Sequence, residues 1–131
     1  MLFVIDCNVL VSAGLTDGVC RTVLRRLVAA HRGVLSKEIL HEYRTVTQRP
    51  KFAARHSTFD RLIDLIQSVS DCIEVPPSAI SLPDPDDEIY VAAALAAQAD
   101  ALITGNTAHF PDPTYGRTQV LTPRQFIGQH P

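Results

Sequence analysis

Two short apolar runs that stop abruptly on polar residues constrain this chain most. Leu2–Ile5 ends at Asp6, in Ile5-Asp6-Cys7-Asn8, and Ala101–Thr104 turns at Gly105-Asn106. Runs of this length bounded by turn signals fit buried strands. Between them the pattern alternates with helical periodicity, and strands alternating with helices imply a parallel sheet wrapped on both faces. The expected fold is a three-layer α/β/α sandwich around a central parallel sheet, a single domain over residues 1–131. In such sheets chemistry collects beyond the carboxyl ends of the strands, where Asp6 and Asn106 fall.

The intervening elements follow from stripes and breakers. Gly18 opens a helix with Val19, Val23, Leu24, Leu27 and Val28 on one face and Arg21, Arg25, Arg26 and Arg32 outward, and Gly33 stops it. Val34-Leu35 reads as a second strand. Ser36 caps a helix running to about Thr47, which Arg49-Pro50 ends because the residue before proline avoids the helical region. Ser57 or Thr58 caps a third helix, with Phe59, Leu62, Ile63, Ile66 and Val69 inward, and Cys72–Val75 is the next strand. Prolines 76, 77, 83 and 85 make a loop, too short for a linker, leading to Asp84-Pro85-Asp86-Asp87-Glu88. Asp86 or Asp87 starts an alanine-rich helix, Ile89 to Ala99, suited to close packing on a sheet. Val120-Leu121 is a last strand, and Thr122-Pro123-Arg124-Gln125 reads as a capping box with proline at the first helical position.

Four polar positions stand out: Asp6, Glu42, Asp87 and Asn106. Each also has an ordinary role. Asp6 could cap the next helix, Glu42 could flank an exposed face (with Glu38 one turn earlier as competitor), and Gly105-Asn106 could be a plain turn. Acids suit a helix start because of its dipole, but capping needs one acid, not Asp84, Asp86, Asp87 and Glu88 together. Two carboxylates ~5 Å apart repel by roughly 3 kcal/mol at an effective dielectric near 20. Converging carboxylates must therefore be dispersed, protonated or neutralised by a cation. All-oxygen donors favour Mg²⁺ or Mn²⁺, and the five histidines show no H-x-x-x-H spacing of the zinc type.

Charge distribution adds to this. Residues 18–61 hold ten Lys/Arg against three acids, and residues 62–116 hold nine acids with no Lys or Arg. A basic half beside an acidic half suits a protein that holds a polyanion with one and metal ions with the other. Cys7, Cys20 and Cys72 form no C-x-x-C pair, consistent with reduced thiols and a cytoplasmic location. No run is long and apolar enough to span a bilayer, and the start lacks a basic leader.

Taken in order, these segments resemble the PIN domain family, and within it the VapC-like toxins of toxin–antitoxin pairs. Phe3-Val4-Ile5-Asp6-Cys7-Asn8-Val9-Leu10 is similar to the family's opening strand and first acid. Ile39-Leu40-His41-Glu42-Tyr43 resembles the helix with the second acid. Asp84-Pro85-Asp86-Asp87 followed by Ala92-Ala93-Ala94 matches the third, placed on Asp87. Leu102-Ile103-Thr104-Gly105-Asn106 with His109-Phe110-Pro111 resembles the closing motif, and Arg49-Pro50-Lys51-Phe52 is similar to a segment of one PIN subgroup. The resemblance implies a metal-dependent endoribonuclease, often a homodimer, silenced by a small antitoxin protein. It implies Asp6, Glu42 and Asp87 as ligands of Mg²⁺ or Mn²⁺, with Asn106 as a fourth catalytic position. Asn8, Asp84 and Thr104 stand in an outer shell. Asn106 departs from the Asp of many members, and His109 stands where many carry another acid.

On this reading the RNA backbone is met by Arg21, Arg25, Arg26, Arg44, Arg49 and Lys51, so affinity falls with salt. Few aromatics and no tryptophan argue against extensive base stacking. A haloacid-dehalogenase-like phosphatase needs a second Asp two residues after the first, where this chain has Asn8. The stronger alternative is a catalytically weak PIN-like module that binds RNA or a protein partner.

Overall fold

The structure, a computed structural model, describes residues 1–77 and 79–131. Its centre is one six-stranded sheet: β1 (Leu2–Ile5), β2 (Arg32–Leu35), β3 (Ser70–Cys72), β4 (Ala101–Ile103), β5 (Thr114–Tyr115) and β6 (Thr118–Leu121), in the order β3-β2-β1-β4-β6-β5. Five strands are parallel and β5 closes one edge antiparallel to β6. The helices are α1 (Cys7–Leu15), α2 (Val19–Ala30), α3 (Lys37–Thr47), α4 (His56–Ser68), α5 (Glu88–Ala97) and α6 (Pro123–Gln129). This is the expected layered α/β sandwich with a mostly parallel sheet.

The core explains the layers. Phe3, Val4, Ile5, Leu102 and Ile103 are fully or almost fully buried, so both faces of β1 and β4 are covered. On one side α1 packs against α2, α3 and α4, and α2 against α6. Val9, Leu10, Ala13, Val23, Leu24, Leu27, Ile63 and Ile66 are buried there. On the other side α5 runs against β1, β2 and β4, its Ala93 and Ala94 letting the backbone come close, with Tyr90 and Val91 as the bulky fillers.

Several elements differ from expectation. α1 was not anticipated, because Cys7-Asn8-Val9-Leu10-Val11-Ser12-Ala13-Gly14-Leu15 has almost no polar face from which to read a period. Its Gly14 is where α4 comes nearest: a Cβ there would lie 2.2 Å from the Phe59 ring. Gly33 does not stop α2, which ends at Ala30. It lies within β2, where a Cβ would fall 2.3 Å from Ser70 Oγ, so glycine permits the close approach of β3. β3 itself ends at Cys72, the first residue of the Cys72–Val75 run expected to form it. β2 ends at Leu35, whose carbonyl already receives the Ile73 N–H, and the rest of the run has no strand to pair with.

A 3₁₀ turn over Pro50–Arg55 leads directly into α4, which begins at His56, so Arg55 rather than Ser57 or Thr58 holds the N-cap position. Of the Pro76–Pro85 loop, Ser78 lies outside the described residues. A second 3₁₀ turn, Pro85–Asp87, precedes α5, and α5 stops at Gln98 in the left-handed conformation, φ 52°. The β5–β6 hairpin turns on Gly116, φ 58°. The capping box at Thr122 and Gln125 is present as read.

Candidate active site

The chain leaves β1 towards β2 on one side and reaches β4 on the other, so the gap between the ends of β1 and β4 is the sheet's topological switch point. Asp6 and Thr104 are the residues immediately beyond those two ends. Their backbones are held by the sheet: Asp6 N–H donates to Ile103 O at 3.0 Å, and Thr104 N–H to Leu121 O at 2.9 Å. Both are buried. Asp6 occupies the N-cap position of α1 without a side-chain cap hydrogen bond. Its Oδ2 instead accepts from Thr104 Oγ1 at 2.8 Å. The same hydroxyl accepts from Asn106 N–H at 3.0 Å and Asn8 Nδ2 at 3.5 Å, while Asn8 Oδ1 accepts from Gly105 N–H at 3.0 Å. One donor and two acceptor positions are thus engaged at the Thr104 hydroxyl.

Burial pushes the Asp6 carboxyl up to about 6. The Thr104 hydrogen bond and the Cys7 and Asn8 amides pull it down, and the Asp87 charge adds to the rise. Asp87 closes the 3₁₀ turn ahead of α5, and its carboxyl is also raised, by burial above all. His109 opposes that rise, and Asp84 and Asp86 add to it. His109 Nδ1 lies 2.9 Å from Asp87 Oδ2, the ion pair and hydrogen bond through which it opposes that rise. His109 Nε2 lies 2.9 Å from Asn106 Nδ2. Ligand atoms of Asp84, Asp87 and His109 all lie within 4.8 Å of one another. Among the described residues no other trio of His, Cys, Asp or Glu meets that span, so Asp6, Glu42 and Asp87 do not.

Glu42 reaches the site from α3, half-buried, at a groove it shares with Glu38, His41 and Asp86. Its charge is felt on the floor below. Burial first, then the Asp6 and Glu42 charges, push the Cys7 thiol up to about 12. The Tyr90 hydroxyl is raised by burial and, among others, by the same two carboxylates. Tyr43, fully buried, donates to Ile5 O just behind Asp6, and the buried Tyr90 hydroxyl lies against the Cys7 thiol and lowers its pKa. This floor of Cys7, Tyr43 and Tyr90 was not read from sequence. Nor was His109's position beside Asp87, for which the only signal was its place in the closing motif.

The basic residues divide. Arg21 Nε donates to Ala13 O at 2.8 Å, tying α2 to α1. Arg26 donates to Ile127 O and His130 O, tying α2 to α6. Arg25 forms an exposed ion pair with Asp17 at 3.1 Å. Arg44 is exposed in the last turn of α3, and Lys51 lies 5.1 Å from the Phe52 ring centroid. Arg49 alone of the six reaches the floor electrostatically, pulling the Cys7 thiol down.

Comparison with known proteins bears on this arrangement. A sequence comparison with curated proteins finds no match. The fold is similar to a chain in the crystal structure of VapBC2 from Rickettsia felis bound to a DNA fragment from their promoter. The TM-score is 0.64 at 16% identity, covering 93% of this chain and 98% of that one. The family model described as the PIN domain matches residues 3–108, a span that includes Asp6, Glu42, Asp87 and Asn106. The chain therefore belongs to the PIN domain family.

Proposed function

We propose that this chain is a metal-dependent endoribonuclease that cleaves RNA phosphodiester bonds, acting as the toxin of a toxin–antitoxin pair. The observation that carries the reading is a pair of buried carboxyls, Asp6 and Asp87, both raised by burial, with the Asp87 charge felt at Asp6, at the switch point of a PIN domain sheet. Buried carboxylates with raised pKa are costly unless they serve a ligand.

The donors fit a hard dication. Asp84 and Asp87 present carboxylate oxygens together ahead of α5, and Asp6 lies close enough to feel the Asp87 charge; carboxylate oxygens are the donors that suit Mg²⁺ or Mn²⁺. Such an ion, when bound, supplies Lewis acidity and a more acidic water. The chain's own residues do the rest. Thr104 holds the Asp6 carboxylate in one orientation, Asn8 and the Asn106 amide hold Thr104, and the Gly105 amide holds Asn8. Arg49 and Lys51 offer positive charge to the RNA backbone beside the acidic floor. A homodimer and a small antitoxin protein complete the proposal; the similar fold in a VapBC2 complex supports the second.

The alternative is a PIN module that binds RNA or protein without cutting. It is favoured by Asn106, a neutral amide already directed at His109 rather than a fourth carboxylate. Incubating a structured RNA with the protein and Mg²⁺ or Mn²⁺ separates the two. Cleavage that EDTA stops, and that falls about a hundredfold or more in Asp6→Asn and Asp87→Asn, supports the nuclease. RNA retained intact with and without metal supports the binder.

A further inference from the structure

Two histidines meet at the amino end of the strands, opposite the candidate site. His31 follows α2 directly, its N–H bonded to Leu27 O at 3.0 Å, and it precedes Arg32, which pairs with Leu2 of β1. His130 is the C-cap of α6. Their rings and those of Phe3 and Phe126 form one cluster, with every pair of centroids between 4.9 and 5.9 Å apart. The two imidazoles stand 5.5 Å apart. Phe3 and Phe126 are fully buried, so this cluster is the seam along which α6 docks on β1 and the end of α2.

The packing suits neutral rings. A charged imidazole donates from both nitrogens, and His31 Nδ1 is buried with no hydrogen-bond partner among the described residues. Charging the ring would place an N–H there with nothing to accept it, and an unmet buried donor is costly.

The surrounding charges add to that cost. His31 faces the Met1 amino group and His130. Arg26 of α2 sets its guanidinium on His130 O at 2.8 Å and Ile127 O at 3.4 Å. Arg32 of β2 is turned to Asp71 at 2.8 Å, and Arg124, the one charged side chain of α6, is exposed. Asp100, the acid beside the start of β1, is already engaged by Leu2 N–H at 2.8 Å and Arg117 at 2.6 Å. Attraction of an imidazolium to the Phe3 and Phe126 rings works the other way. It is outweighed: burial first, then the Met1 amino group and His130, hold His31 below its ordinary value.

We propose that His31 and His130 form a proton-operated latch on α6: neutral, they let it dock on β1 and α2, and once protonated they repel each other and release it. The sign follows from linkage. A histidine held below its ordinary value of 6.5 contributes stability that is present above that value and lost as pH falls through the folded one. Asp6 acts in the opposite direction, because its raised carboxyl stabilises the metal-free fold as pH falls. Acid therefore loosens α6 while the sheet holds, and the latch does not rest on the nuclease reading.

The test is hydrogen–deuterium exchange of the full chain in EDTA, from about pH 7.5 down to about pH 5.5, with each rate corrected for the intrinsic pH dependence of exchange. The Phe126 and His130 amides bond Thr122 O and Phe126 O. Their protection should fall about tenfold, the equivalent of one pKa unit, while that of the β4 amides holds or rises. His31→Phe with His130→Phe keeps aromatic rings and removes the protons, and should leave α6 protection flat across the range. NMR titration of the wild-type histidine rings gives a second measurement, in which α6 resonances should shift with the same midpoint as His31. Constant α6 protection in the wild type, an equal fall in the double variant, or an α6 midpoint apart from that of His31 would overturn the latch. So would a fall shared equally by β4, which would be global unfolding.

Discussion

Thr104 Oγ1 donates to Asp6 Oδ2 across 2.8 Å, joining residues 98 positions apart in sequence at the adjacent ends of β4 and β1. This bond holds the Asp6 carboxylate against the pull of burial, and the Asn106 and Asn8 groups that meet the same hydroxyl depend on it. Thr104→Val keeps the shape and removes the hydroxyl. The Asp6 pKa should rise further, and metal-dependent cleavage should begin at higher pH than in wild type. The buried network should lose about 1–3 kcal/mol of stability. A pH–rate profile alongside urea unfolding checks both.

Asp6 makes metal-free stability fall with pH. Its carboxyl titrates at about 6 in the folded chain against an ordinary value of 3.8, so between those values the native state holds the proton and the unfolded state does not. The resulting stability is fully present below pH 3.8 and lost as pH rises through about 6, a difference of roughly 3 kcal/mol. Asp6→Asn should therefore raise the Tm of metal-free protein at pH 8 while abolishing cleavage. Calorimetry at pH 8 in EDTA would show it, and a lower Tm would contradict it.

Gly14→Ala tests the packing of α1 on α4. A methyl group would need to occupy space 2.2 Å from the Phe59 ring, and Phe59 is fully buried. The expected cost is about 1–3 kcal/mol. Combining it with Phe59→Leu should recover part of the loss, so the double-mutant cycle should be non-additive.

The arginines should separate by role. Arg26→Ala breaks the tie from α2 to the carbonyls of Ile127 and His130 and should cost about 1 kcal/mol of stability. It should leave the salt dependence of RNA binding nearly unchanged. Arg49→Ala with Lys51→Ala should do the reverse, weakening RNA affinity and reducing the log–log salt slope by about 2. Filter binding at several salt concentrations, with a denaturation curve for each variant, makes the comparison.

The sequence made the sheet legible where strands were apolar and bounded, as at β1 and β4, and the helices legible where one face was polar, as in α2 and α3. It was silent on α1, whose apolar character on all sides is what lets it occupy the middle of its layer. It misplaced β3 because backbone pairing with β2, not side-chain hydrophobicity, fixes that edge. In the site, polar residues directly after strands marked Asp6, Thr104 and Asn106. The proximity of His109 to Asp87 depends on how the turn beyond β4 folds back, and no spacing encodes that. Likewise nothing in an arginine's position told Arg21 and Arg26, whose guanidinium groups hold helices together, from Arg49, whose charge reaches the floor.

The pairing of β1 with β4 also sets a schedule. The hydroxyl that orients Asp6 and the imidazole near its neighbour emerge about a hundred residues after Asp6 itself. A growing polypeptide that has not yet released Thr104 through His109 from the ribosome has carboxylates but no assembled centre. The Leu121 carbonyl that anchors the Thr104 backbone emerges later still, so the arrangement closes only with β6.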